Sequence, residues 1–234
     1  MSKAKHSEPT SAFALFTKSK EAVLKNLNVF LILYIIPLFF TLVSMRRLGR
    51  MERREGIFNG TNPFVNFPPN AIAALVGLGS VFVVVGVVLG ALYQAMVTSL
   101  EFKAVTSKDV QLGVLWNMAK KYALRLFLFS VLYALLIAFG LIYFIIPGII
   151  VIRRYYLAPY AMIDKDLSIG DAMRYSAEIS KPHAMSVWSV IGVTFLIGLT
   201  GAVPIFGGIL SLALSMLYSV APAFRYVELK KLNG

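Results

Sequence analysis

An all-α, polytopic bundle of about six membrane segments is the fold that the sequence predicts, and three observations predict it. Apolar residues make up 58% of the 234 residues and charged residues 15%, against roughly 45–50% and about 25% in soluble domains. Uncharged stretches long enough to cross a bilayer recur along the chain; a crossing helix needs roughly 20 mostly apolar residues. Most of the basic residues, which set the net charge at +12, fall between those stretches. A soluble chain of this length could not bury so much apolar surface without leaving large patches exposed. Cysteine is absent, which excludes disulfide scaffolds, thiolate zinc sites and cysteine nucleophiles.

Residues 1–26 read as a cytoplasmic or interfacial N-terminal helix, and 27–226 as the transmembrane domain. No charge lies between Lys25 and Arg46. The first segment is 27–45, with Pro37 inside it as a kink that membrane helices tolerate. It starts too late and runs too long for a cleaved signal peptide, so it is expected to stay as an anchor. Gly56 to Leu100 is again uncharged. Residues 56–70 are loop chemistry, rich in Asn and Pro, and 71–98 reads as a long tilted second segment. Gly86 and Gly90 form a GxxxG pair there, which permits close helix packing. The third segment is 126–146. After Pro147-Gly148 comes an irregular fourth, 149–163, with Arg153 and Arg154 in its middle. The uncharged run from His183 to Arg225 is too long for one helix. It divides at 203–208 into segments 184–203 and 209–224, leaving 227–234 as a cytoplasmic tail.

With six segments, sixteen Lys and Arg fall on the side of the termini and five, Arg46 to Arg54, on the other. The positive-inside rule then puts both termini in the cytoplasm. The Arg46–Arg54 stretch opposes this, as an outside loop or as an extension of the first helix.

The segments also suggest a repeat. Thr106-Ser-Lys-Asp109 and Ser168-Ile-Gly-Asp171 match a helix-capping box and lie 62 residues apart. A short amphipathic stretch follows each, then a membrane hairpin, and residues 11–27 form a third such stretch. The chain thus reads as three units of interfacial helix plus hairpin. In the first stretch Phe13, Phe16, Val23 and Leu24 oppose Lys18, Lys20 and Lys25; in the second Val114, Leu115 and Met118 oppose Lys120 and Lys121. Such helices lie in the interface with lysines at anionic headgroups, or are flanks whose lysines snorkel and fix helix height.

Catalytic chemistry is hard to find. His6 and His183 are the two histidines, and neither stands at metal-ligand spacing to a partner; His183 reads as a flank of the fifth segment. No phosphate-binding glycine motif is present. Asp164 and Asp166, with Lys165 between them, read as a solvated turn rather than an acid–base pair. Asn59-Gly-Thr61 has sequon form and is expected to stay bare. The sequence therefore predicts no enzyme, no cofactor and no metal. Nucleic acid is not an expected partner either, because the basic residues are scattered beside membrane segments.

Residues 145–183 (IIPGIIVIRRYYLAPYAMIDKDLSIGDAMRYSAEISKPH) carry a Pro-Gly, arginine in an apolar segment, Leu157-Ala158-Pro159, the acids Asp164 and Asp166, and an Ala172-to-Ser176 helix. In these features the chain resembles the YciC-like bacterial membrane proteins. It is similar as well to the membrane domain attached to some glycerophosphodiester phosphodiesterases. The resemblance covers about 40 residues in detail and the rest in architecture. The doubled arginine and the long Arg46–Arg54 stretch depart from it. It implies six helices in a bacterial inner membrane and transfers no catalytic residue, because the phosphodiesterase barrel has no counterpart here.

Arg153 and Arg154 are the feature that demands a reason, since an arginine at a helix centre costs about 2.5–3.5 kcal/mol on insertion scales. Three readings stand. A short or broken fourth helix lets both snorkel; Asp164, Asp166 or Glu101 pairs with them; or they line a polar site for a phosphate or carboxylate headgroup, which the guanidinium fork suits. Tyr155 and Tyr156 complete the headgroup reading, and equally fit an aromatic belt. The leading expectation is a non-enzymatic protein that binds, organises or moves anionic membrane lipids through Arg153, Arg154, Tyr155 and Tyr156. A small-solute permease or channel is the alternative, against which no acid lies inside a predicted segment; a structural scaffold is a third.

Overall fold

A computed structural model describes residues 9–51, 69–107, 109–143, 145–203 and 206–233, with side chains described at 9–43 and, in the remaining ranges, from 79 onward. Every element it holds is an α-helix: α1 (Ala12–Lys25), α2 (Leu27–Met51), α3 (Pro69–Thr106), α4 (Leu112–Tyr143), α5 (Ile145–Tyr155), α6 (Ala158–Lys165), α7 (Ile169–Ser180), α8 (Ala184–Thr200), α9 (Gly207–Tyr218) and α10 (Ala221–Leu232). Three stretches are long and apolar enough to cross a membrane: 79–106 in α3, α4, and α9 with α10. Two bent pairs, α1 with α2 and α7 with α8, raise that to five. The outer surface is the apolar one, with Phe82, Ile142 and Met185 each at least three-quarters exposed, as lipid contact requires.

The fourth expected segment departs from a span. α5 has 11 residues, about 16 Å at 1.5 Å per residue, roughly half of a 30 Å hydrocarbon core. Tyr156 and Leu157 turn the chain, and Pro159 starts α6, where its missing N–H is harmless. Among the described residues the structure holds three to five candidate spans. α5 folds back along α4 through a glycine contact. A methyl group on Gly140 would lie 2.7 Å from the Gly148 Cα, so the two backbones touch. The Gly86–Gly90 pair, expected to pack, does not: among the described residues nothing lies within 4 Å of a methyl group on either.

Two of the three expected amphipathic stretches are separate helices. α1 meets α2 at 97° and α7 meets α8 at 107°. Asn26 makes the first corner, its side chain donating to the Ala22 carbonyl (3.1 Å) and accepting from the Val110 N–H (3.3 Å). Pro182 makes the second, with His183 at the start of α8. The stretch 110–122 is instead the opening of α4, because no proline or cap interrupts VLWNMAKKYALRLF. The two capping-box matches differ likewise. Ser168 caps α7, accepting from the Asp171 N–H (3.3 Å); Thr106 is the last residue of α3, its hydroxyl donating back to the Phe102 carbonyl (3.0 Å).

At the ends of the chain two further expectations change. α2 runs on to Met51 and carries Arg46, Arg47 and Arg50 as a helical extension; Arg53, Arg54, the turn-rich 56–68 with Asn59-Gly-Thr61, and His6 lie outside the described residues. Residues 227–232 of the expected tail are the last part of α10, anchored by buried Tyr226 and Leu229. Tyr226 packs against Phe102 of α3, Tyr160 of α6 and Tyr175 of α7, so the main core gathers α3, α4, α6, α7 and α10.

Candidate functional site

The four residues singled out in the sequence do not form one site. Arg153, on α5, is half-buried and its guanidinium donates to the Ser180 carbonyl at 3.4 Å. Arg154 is exposed, and its backbone carbonyl accepts from the Ser176 hydroxyl at 2.8 Å. Tyr155 packs on the main core. Tyr156 turns away to line a separate cavity.

None of the three acids proposed as partners pairs with the arginines. Asp164 accepts from the Tyr226 hydroxyl (2.7 Å) and pairs with Lys230 (2.5 Å). Asp166, at the left-handed end of α6, pairs with Lys121 and Arg125, each at 2.8 Å. Those bonds, that of Lys121 first, hold its carboxyl below the usual range, and they tie the α6–α7 corner to α4. The two aspartates are therefore tie points rather than a merely solvated turn. Among the described residues no acid forms an ion pair with Arg153 or Arg154.

Glu101, considered in the sequence only as a partner for the arginines and outside any segment, stands elsewhere in the structure. α3 continues to Thr106, because nothing in LEFKAVT ends a helix, so an acid does lie within a candidate span. The Tyr160 hydroxyl donates to it at 2.7 Å, and among the described residues no basic side chain pairs with it. Its carboxyl opens on a cavity of about 290 Å³ shared with Tyr34, Tyr156, Tyr160 and Tyr218. Thr98, Thr194 and Ser219 add hydroxyls, Ser219 facing Tyr34 and Thr194 facing Tyr156. α2, α3, α8 and α9 each contribute one of these polar walls, and the α5–α6 turn contributes Tyr156.

A second cavity is larger and apolar. It measures about 1140 Å³ and opens between α2 and α3, lined by Leu33, Phe40, Gly86, Leu89, Gly90 and Trp116 among others. The bare glycine face of α3 makes its floor, which explains why Gly86 and Gly90 touch no helix. At Trp116 the Lys120 ammonium lies 5.8 Å from the ring centroid, within cation–π range.

A buried ion pair marks where the N-terminal segment docks. Arg225 is fully buried; it pairs with Glu228 (2.6 Å) and donates to the Thr10 carbonyl (2.7 Å). Thr10 returns two hydrogen bonds to Glu228, from its N–H (2.6 Å) and its hydroxyl (2.5 Å). This network is a latch between chain ends, and sequence offered no signal for it beyond an arginine beside an apolar run. Comparison with known proteins adds no further constraint: no family profile, curated protein or solved structure matches this chain.

Proposed function

We propose that this is a non-enzymatic, multi-pass protein of a bacterial inner membrane, with its basic termini in the cytoplasm, that binds and organises anionic lipids. The carrying observation is the apolar groove between α2 and α3, about 1140 Å³ in volume, with Lys120 beside Trp116 at its rim. Its lining suits acyl chains, and an interfacial tryptophan with a lysine suits the headgroup region. Arg153 and Arg154, without acidic partners among the described residues, supply a further anionic contact on α5. The amphipathic α1 and α7, bent away from the helices that follow, fit the interfacial role. Six membrane segments in three units, and kinship with the YciC-like proteins, are consistent with this reading.

Native mass spectrometry of the gently extracted protein tests it. Retained phosphatidylglycerol should fall several-fold when Gly90→Leu fills the groove, and again in Lys120→Gln and in the Arg153→Gln/Arg154→Gln double variant. Equal retention in wild type and all three variants overturns the reading. A permease is the second reading, and one observation favours it: Glu101 places an acid and a polar cavity within the candidate spans. Flux of small solutes into proteoliposomes no faster than into empty ones argues against it.

A further inference from the structure

The cavity around Glu101 is where the structure goes beyond a lipid-facing bundle. Glu101 brings a carboxyl into apolar surroundings, and a carboxylate there is stable only with a proton or a cation beside it. Among the described residues its one hydrogen-bond donor is the Tyr160 hydroxyl, and the carboxyl borders the cavity. Among the described residues no Lys, Arg or His lines that space. A second, independent observation is Tyr218: it is 2% exposed, lines the same cavity, and among the described residues its hydroxyl has no hydrogen-bond partner. Buried hydroxyls are rarely left so, because each orphaned group costs about 1–3 kcal/mol. Such a hydroxyl in the cavity wall is available to hydrogen-bond with what enters the cavity.

The chemistry of the walls selects the occupant. A single carboxyl with no basic partner calls for one positive charge. Four tyrosines supply aromatic rings, the preferred neighbours of substituted ammonium ions, and the hydroxyls of Thr98 and Ser215 supply acceptors for N–H groups. A bare metal ion fits poorly. Hard cations take six to eight oxygen ligands close in, and among the described residues no group of three acidic, histidine or cysteine side chains converges anywhere. At about 290 Å³ the cavity is also far larger than an ion needs and near the lower end for organic ligands. We propose that the Glu101 cavity binds a small substituted ammonium ion, with Glu101 as counter-ion, the tyrosine rings as cage and Tyr218 as hydrogen-bond partner. This assignment is independent of the lipid reading, and names the solute for the permease reading.

A free amine and the ethanolamine headgroup of a lipid share this chemistry, and two arms separate them. Equilibrium dialysis of the full-length protein in detergent against radiolabelled methylammonium reads the first; mass spectrometry of retained phosphatidylethanolamine reads the second. Wild type should bind one ligand per chain in one of the arms. Glu101→Gln keeps the acceptor for Tyr160 and removes the charge, and should weaken that binding at least tenfold. Tyr218→Phe leaves charge and fold intact, and should weaken it by a few-fold. Saturable binding of methylammonium that is weakened in both variants assigns a free amine; retention of phosphatidylethanolamine alone, reduced in both, assigns the headgroup. No saturable binding in either arm, or binding that both variants keep at wild-type strength, overturns the proposal.

Discussion

At the scale of single residues, charge placement separates a latch, a tie and a site. Arg225 is the latch. Breaking a buried pair by removing one partner costs about 3–5 kcal/mol, because the other charge is left uncompensated. Arg225→Met should therefore lower the unfolding temperature of the detergent-solubilised protein sharply, and free the N-terminal segment to protease. Asp166 is the tie, and it is exposed, so its effect is smaller in kind. Its carboxyl is held below the usual value, chiefly by Lys121. A depressed carboxyl contributes stability that is present above its unfolded value and lost as pH falls through the folded one. Asp166→Asn should thus lower the melting temperature slightly at pH 7, with the difference closing in acid. A difference that stays constant down to pH 3 would count against the pairing. Sequence showed the aspartates as a loop pair; only the fold brings Lys121 and Arg125 some forty residues back onto one of them.

At the scale of elements, glycines divide by what stands opposite them. Gly140 has the backbone of α5 against it, whereas Gly86 and Gly90 face open groove. Gly140→Ala forces α4 and α5 apart and should destabilise by about 1–3 kcal/mol, the range for overpacking. Gly90→Ala should leave the melting temperature unchanged. Equal effects at the two positions would sink the assignment of the hairpin contact. The GxxxG spacing alone pointed to the wrong pair, because spacing describes the face a helix offers and not the partner that arrives. Helix ends follow the same logic. The Ser168 cap was legible as punctuation, while the continuation of α3 past residue 98 was not, since a charge in the chain looks like a boundary until a donor such as Tyr160 is found for it.

For the whole molecule, the bends decide what faces the membrane surface. α1 and α7 leave their following helices near right angles, the geometry expected of helices that lie along a membrane surface. Because the chain has no cysteine, single cysteines can map this directly. With the basic side cytoplasmic, Ser11→Cys and Ser168→Cys should react with an impermeant maleimide only in inside-out vesicles, and Ala202→Cys only in right-side-out ones. Labelling of all three from the same face would refute the orientation. The groove and the Glu101 cavity both border α2 and α3 but differ in lining, one apolar and one polar. Acyl chains and an ammonium ion, if bound as proposed, would therefore occupy different spaces.

The sequence by itself determined the class of the protein, because apolar composition and the spacing of charges act through the solvent, which every residue meets alone. It also marked the fourth segment as irregular and α7 as capped, the latter because serine acts on its own backbone. Only the tertiary structure decided the sites. Tyr156 is taken from the arginines beside it and set with Glu101, 55 positions earlier, and Thr10 is bound to Glu228 across nearly the whole chain. Such contacts depend on which helices pack together, and helix packing turns on the fit of whole faces, which no local pattern records.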